Sequence, residues 1–451
     1  MATSKGKDIL RIFHLAEGNN RIPTELYSKY NVKKGLRNEN GTGVVVGLTR
    51  ICDVAGYTKD AEGRKQDMEG ELFYRGYPLK AVYDKVAASD HNGYEEVCFL
   101  LLFGYFPTEL EKLLFKECLR ESYALPDGFL ARNILKTSSF DMMNKIQRSI
   151  LLLYSDDPNP DDPGVDNYLQ QGLSIIAKLP AIAVYCYQAM SHMVENKSLV
   201  IHPQRADMDL AEYFLYLLKG EGNYTQDEVS ILDLMMIIHA DHGIGNNSTF
   251  ASLVVASTQT DIYSSFTAAV GSLKGPRHGG ANVTCRHMMK TIIEDLGLDA
   301  DEDQMRAVCK KLLNKEYFDK AGLIYGIGHA VYTLSDPRSV ILNDNAAKVA
   351  AQFDRLPELE FYQRFADVAC SVVKEEKGRN VCANVDFYSG FIYDLLGIPE
   401  ELFTPLFVIS RAIGWLAHTL EDKINIHRII RPAGLYVGDI LGEVDPEPDQ
   451  D

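Results

Sequence analysis

Among the eight cysteines (Cys52, Cys98, Cys118, Cys186, Cys285, Cys309, Cys370 and Cys382), no two form a CxxC pair. A zinc ribbon or dithiol redox centre is therefore not expected, and the thiols read as free and mostly buried in a reducing compartment. Long hydrophobic runs are also lacking. The longest, Val97–Phe106, is broken by Gly104 and has half the length that spans a bilayer. Met1–Asn20 holds no apolar signal-peptide core, which argues against export. Positive charge is in deficit: 46 Lys and Arg against 63 Asp and Glu leave a net −17. Such a field repels phosphate polyanions, so neither nucleic acid nor an anionic membrane is an expected partner. Any anionic ligand must be drawn in by a local cluster of Arg and His. There is no P-loop and no internal repeat. Gly41-Thr-Gly43-Val-Val-Val-Gly47 runs into strand-like residues instead of a helix, so it is no dinucleotide fingerprint.

What is present is helix. Apolar residues make up 46% and charged residues 24%, enough for a sizeable core. The periodicity predicts helices over 95–106, 170–190, 211–218, 228–239, 340–353, 362–376 and 405–422. Several are apolar nearly all round, which implies burial between other helices. Strand signal is confined to Gly43–Ile51 and Gly70–Tyr74. Ser155–Gly164 reads as a Pro/Asp loop, and Val444–Asp451 as an acidic, disordered tail. Gly275–Gly280 and Asn384–Gly390 interrupt the helical pattern; they are either hinges around an inserted lobe or ordinary loops.

Five constellations carry candidate chemistry. In GPRHGGAN (275–282), a helix is expected to start near Ala281, so His278 would sit ahead of its N-terminus. The partial positive charge there favours a neutral imidazole, able to donate to an oxyanion, or the ring simply caps the helix. In GIGHAVYTLSDPR (326–338), Asp336 is a good N-cap and Pro337 a good first residue. Arg338 then stands at the unfavourable end of the dipole, explained by a bound anion or merely tolerated. In NVDFYSG (384–390), Asp386 is either a desolvated base beside two aromatic rings or the N-cap of Phe387–Leu396. Arg411 lies inside the apolar helix that carries the only tryptophan, Trp415, and must be paired or snorkel to water; an anion partner, from protein or ligand, is the favoured reading. His239 and His242 lie i, i+3 at the end of an apolar helix, as a metal pair or as buried histidines.

Together these segments resemble the citrate synthase family. YRGYP (74–78), HADH (239–242), GPRHGGAN (275–282), GIGHAVY with DPR (326–338), NVDFYSG (384–390), SRAIGWLAH (410–418) and RP (431–432) stand in that family's order, and the resemblance covers roughly residues 35–438. It implies an all-α, two-domain homodimer: a large domain over 1–279 and 393–438, a small domain over 280–392, and an acidic tail over 439–451. It implies condensation of acetyl-CoA with oxaloacetate to citrate in the tricarboxylic acid cycle. Coenzyme A thioester would be the co-substrate, with no permanent cofactor and no metal.

The resemblance also implies roles for individual residues. Asp386 is the expected base for the acetyl methyl, His278 the donor to the enol oxygen, and His329 the group that polarises the ketone. His242, Arg338 and Arg411 would bind oxaloacetate, and Arg431 would reach across the dimer. Gly326 and Gly328 would lie close to coenzyme A. Thr333 and Ala433 depart from the basic residues common there, and Arg277 is a replacement for a usual apolar residue that offsets them in part. The nearest rival is a 2-methylcitrate synthase using propionyl-CoA. Two from other classes are a metal-dependent hydrolase built on His239, Asp241 and His242, and a non-catalytic homologue. A cytoplasmic location is expected for a prokaryotic chain.

Overall fold

The computed structural model describes residues 20–438 except 39, 63, 89–91, 277, 426 and 427. Arg277 and the acidic tail of 439–451, singled out above, lie outside the described residues. Sixteen α-helices are described. They are α1 Glu25–Lys29, α2 Leu79–Ala87, α3 Tyr94–Phe103, α4 Glu109–Glu121, α5 Met142–Leu153, α6 Val165–Glu195, α7 Leu210–Lys219 and α8 Gln226–His239. The second half adds α9 Asn247–Ala256, α10 Ile262–Leu273, α11 Ala281–Leu296, α12 Glu302–Leu313, α13 Pro337–Gln352, α14 Leu356–Lys377, α15 Val385–Leu395 and α16 Phe403–Asn425. With 59% helix and 6% strand, the fold is mainly α, as expected.

Every predicted helix is present, with ends set by local chemistry. Helix α3 stops at Phe103 because Gly104 turns left-handed (φ 87°) and its N–H bonds Leu100 O. Helices α4 and α8 open on full capping boxes, Thr108/Glu111 and Thr225/Glu228. Helix α16 begins at Phe403, just ahead of Thr404 and Pro405, and every residue from Phe403 to Leu420 is buried. It packs on α6, α8, α9 and α3, the all-round burial its composition demanded. Helix α6 is the one described helix long and apolar enough to cross a bilayer; 78% of its apolar window is buried inside the protein, as in a core helix.

The strands fall differently from expectation. Gly43–Ile51 is extended coil, apart from one isolated bridge between Arg37 and Gly43. No neighbour pairs it, and Val45 and Leu48 remain 86% and 91% exposed. Pairing begins at Cys52: β1 (Cys52–Lys59), β2 (Lys65–Tyr74) and β3 (Tyr77–Pro78) form an antiparallel sheet in that order. The expected Gly70–Tyr74 segment is the second half of β2.

Helices α11 to α15 pack on one another. Arg286 of α11 fastens this group: its guanidinium reaches Glu358 (2.7 Å) and Tyr362 (3.0 Å) on α14 and Asp394 (2.6 Å) on α15. Helix α13 also packs on α8, the helix that leads to His239 and His242.

Candidate active site

Helix α8 ends at His239, so His239 and His242 do not share a helical face. The difference has a direct cause. The His239 ring turns back to Met235 O (2.7 Å), and its carbonyl accepts from Arg411 Nε at 2.6 Å. Past the helix end, the chain carries Asp241 and His242 into the interior, where both are buried. The 242 imidazole lies edge-on to His329 (5.2 Å between centroids) and to Tyr332 (5.6 Å). Its Nε2 has no hydrogen-bond partner.

His329 occupies the turn after Gly326 and Gly328, whose φ of 79° and 98° suit glycine. A Cβ on Gly326 would also meet Phe387 Cα at 2.9 Å. The Val331 and Tyr332 amides both donate to His329 Nδ1, at 3.1 and 3.2 Å. With Nδ1 an acceptor, the neutral ring carries its proton on Nε2. Burial, then the charge of Arg338, holds its pKa at about 4. His278 Nε2 lies 3.2 Å from Ser248 Oγ, and its pKa is also held at about 4, by burial first and Arg411 second. Desolvation and the Arg411 cation act on a ring that stands, as expected, just ahead of the helix starting at Ala281. The His242 pKa is driven well below the ordinary imidazole value, by burial first and then by Arg338, His329, Arg411 and His278.

The arginines resolve differently from one another. Arg338 is buried and already has an anion: the N-cap Asp336 accepts its Nε (3.0 Å) and Nη2 (2.7 Å) as well as its backbone N–H. The carboxylate that caps α13 is therefore the first partner of the misplaced cation. Arg411 is fully buried, packs over the Phe407 ring at 4.8 Å, and leaves both Nη1 and Nη2 without a partner. A desolvated guanidinium in this state is costly unless an anion completes it.

Asp386 does not cap its helix. Asn384 is the N-cap of α15: its Oδ1 accepts the Asp386 N–H at 2.9 Å, and its Nδ2 donates to Gly328 O at 2.8 Å. The Asp386 carboxyl is left free, and burial raises its pKa to about 6, against the pull of Arg338 and with the push of Asp336. His278 joins the cluster from the side of Arg411, and Asp386 from the side of Arg338. A cleft of about 860 Å³ is lined by His242, His278 and His329; Asp386, Arg338 and Arg411 are not among its lining residues. Arg431 is not gathered here: it lies in exposed coil of the same chain.

Sequence reasoning missed three participants. Arg37 lines the cleft and lowers the His329 pKa, yet it sits in aperiodic coil and carries no signal of its own. Ser248 links His278 to Trp415, whose Nε1 donates to Ser248 Oγ at 3.2 Å. His418 pairs with Asp241 at 2.8 Å, entirely inside the protein; its position seven residues after Arg411 on one apolar helix was the available hint. Among the described residues no His, Cys, Asp and Glu cluster has metal-ligand geometry.

Frame and cleft together define, as a class, an all-α enzyme. The family model for the citrate synthase C-terminal domain matches residues 38–433. The citrate synthase of Saccharolobus solfataricus is 31% identical over 90% of this chain and 96% of its own length. The 2-methylcitrate synthase of Shewanella oneidensis is 33% identical over 81% and 88%. The solved ternary complex of Thermoplasma acidophilum citrate synthase with carboxymethyl coenzyme A and oxaloacetate superposes with a TM-score of 0.72 at 26% identity, covering 92% of this chain and 98% of that one. The chain belongs to the citrate synthase family, and its activity is the acyl transfer of that class.

Proposed function

We propose that the chain condenses acetyl-CoA with oxaloacetate to give citrate and free coenzyme A. One observation carries the reading: the unpaired Arg411 guanidinium, buried in electrostatic reach of His242 and Arg338, is an anion site built for a carboxylate. Oxaloacetate supplies two carboxylates, and the Thermoplasma relative is named in complex with it.

In this reading His242, Arg338 and Arg411 grip oxaloacetate, and His329 donates Nε2–H to its ketone. Asp386, with a pKa near 6, is ionised at neutral pH yet a stronger base than an ordinary aspartate. It takes a methyl proton from the thioester while His278 donates to the oxygen that gains charge. For that role the Ser248 hydroxyl, which donates to Asn246 Oδ1 at 2.7 Å, would turn to donate to His278 Nε2 at 3.2 Å, leaving Nδ1–H as the donor to substrate. The enol carbon then bonds to the ketone carbon while the C=O π pair moves onto the ketone oxygen, which takes the His329 Nε2 proton. Water next attacks the citryl thioester, the C–S bond breaks, and coenzyme A leaves as the thiol. A second cavity of about 470 Å³, lined by Gly328, His329, Lys65 and Arg379, suits the coenzyme A phosphates. Thr333 cannot take part, because its hydroxyl is used by Gly56 O.

The remaining elements of the proposal are a small domain over 280–392 that closes on the rest, a homodimer in which Arg431 serves the other copy's site, and a cytoplasmic location. The exposed, extended course of 428–438 suits an arm that exchanges between copies. A thiol-release assay with oxaloacetate tests the reaction, run with acetyl-CoA and propionyl-CoA side by side. Faster turnover of propionyl-CoA would replace the reading with 2-methylcitrate synthesis. Asp386→Asn should lower kcat about 10²- to 10⁴-fold while oxaloacetate binding persists; full turnover refutes the base role.

A further inference from the structure

We propose that the β1–β2 hairpin, whose Gly56 lines the cleft beside His329, is the clamp that fixes the His329 imidazole, with Gly56, Gly70 and Thr333 as positioning residues. The proposal rests on the reading of His329 given above.

The hairpin lies against the turn 331–335 with no room between the two backbones. A Cβ on Gly56 would sit 2.5 Å from Val331 O and 2.7 Å from Tyr332 Cα; one on Gly70 would sit 2.1 Å from Ser335 O. Neither glycine has a positive φ, so closeness rather than backbone freedom requires them. Gly56 falls where the β1–β2 register shifts, between Ala55 and Tyr57, and such a bulge bends a strand toward what it must touch.

Hydrogen bonds bind the two surfaces. Thr333 Oγ1 approaches Gly56 O on β1 (2.8 Å) and Met68 O on β2 (3.3 Å), and the Gly70 N–H donates to Ser335 Oγ at 3.0 Å. The same turn supplies the Val331 and Tyr332 amides that donate to His329 Nδ1. The Tyr332 ring stacks on the imidazole at 4.7 Å and 25°. Gly56 therefore touches, by backbone alone, the two residues that set which nitrogen of His329 bears the proton. The Thr in place of a basic residue is explained as well: at this position a hydroxyl bridges both strands, which a long cation would push apart.

Four variants test this. Gly56→Ala should lower kcat about 10²-fold, since a displacement near 1 Å at a reacting group has that effect. KM for acetyl-CoA should change little. Thr333→Val should lose about tenfold in kcat, and Thr333→Ser should restore it. Nitrogen-15 spectra should show His329 as a single Nε2–H tautomer in the parent and a mixture in Gly56→Ala and Thr333→Val, with thermal melts confirming that each is folded. Parent-like kcat and an unchanged tautomer in both would overturn the clamp. His329→Gln separates the two ideas. If that variant turns over fully, the role of His329 fails, and the tautomer spectra alone decide the clamp.

Discussion

At the scale of single residues, burial does most of the chemistry's preparation. His278 and His329, with pKa values held at about 4, are neutral near pH 7, while Asp386 is pushed the other way to about 6. Activity should therefore rise with pH through about 6 as Asp386 loses its proton, and a pH–kcat profile of the parent should show that limb. An acid limb centred near 4 instead would mean an ordinary aspartate serves. His278→Ala should reduce kcat about 10²- to 10³-fold, the usual effect of losing one oxyanion donor. Ser248→Ala should reduce kcat in the same direction without changing oxaloacetate affinity. Arg411 was legible in sequence because it broke a local rule, a charge inside an apolar helix, whereas His278, His329 and Asp386 stood out by their motifs and the resemblance those motifs carry. Arg37 broke none and was invisible.

At the scale of elements, ends matter more than middles. The Asn384 cap starts α15 and ties it to the loop of Gly328, so one side chain joins Asp386 to the loop that carries His329. Asn384→Ala should cost about 0.5–2 kcal/mol of stability, as cap losses do. Its kcat should fall as well, because Asp386 and the 326–329 loop lose their common anchor; thermal melts and turnover measured together check this. Helix positions were readable from the 3.6-residue period. The strand near residue 50 was misplaced because Val44–Val46 has strand-like residues but no partner to pair with, and pairing is a tertiary matter.

At the scale of the whole molecule, the buried histidines make the native state acid-labile. His239 has a pKa of about 3, and His278 and His329 of about 4, all below the usual value near 6.5. At these histidines an unfolded chain takes up protons first as pH falls from about 6.5 to 4, which lowers native stability through that window, partly offset by Glu95, Asp233 and Asp386, whose pKa values are raised to about 8, 7 and 6 and whose contribution has the opposite sign. The melting temperature should drop there, and His239→Gln should flatten part of the decline; an unchanged slope would show that other groups cause it. Oxaloacetate at 100 times its Kd should stabilise the native state by about 2.7 kcal/mol, and Arg411→Leu should abolish most of that gain in a thermal-shift titration.

Sequence alone determined the helical class and the order of the motifs, because periodicity and caps are local properties that a chain carries wherever it folds. It also determined which side chains were out of place in an apolar setting. Only the tertiary structure decided that Arg338 is answered by Asp336 while Nη1 and Nη2 of Arg411 are left without a partner, that Asn384 rather than Asp386 caps α15, and that a hairpin some 270 residues earlier presses on the His329 turn. Desolvation, charge pairing and backbone contact depend on what surrounds a group in space, and spacing along the chain does not contain that.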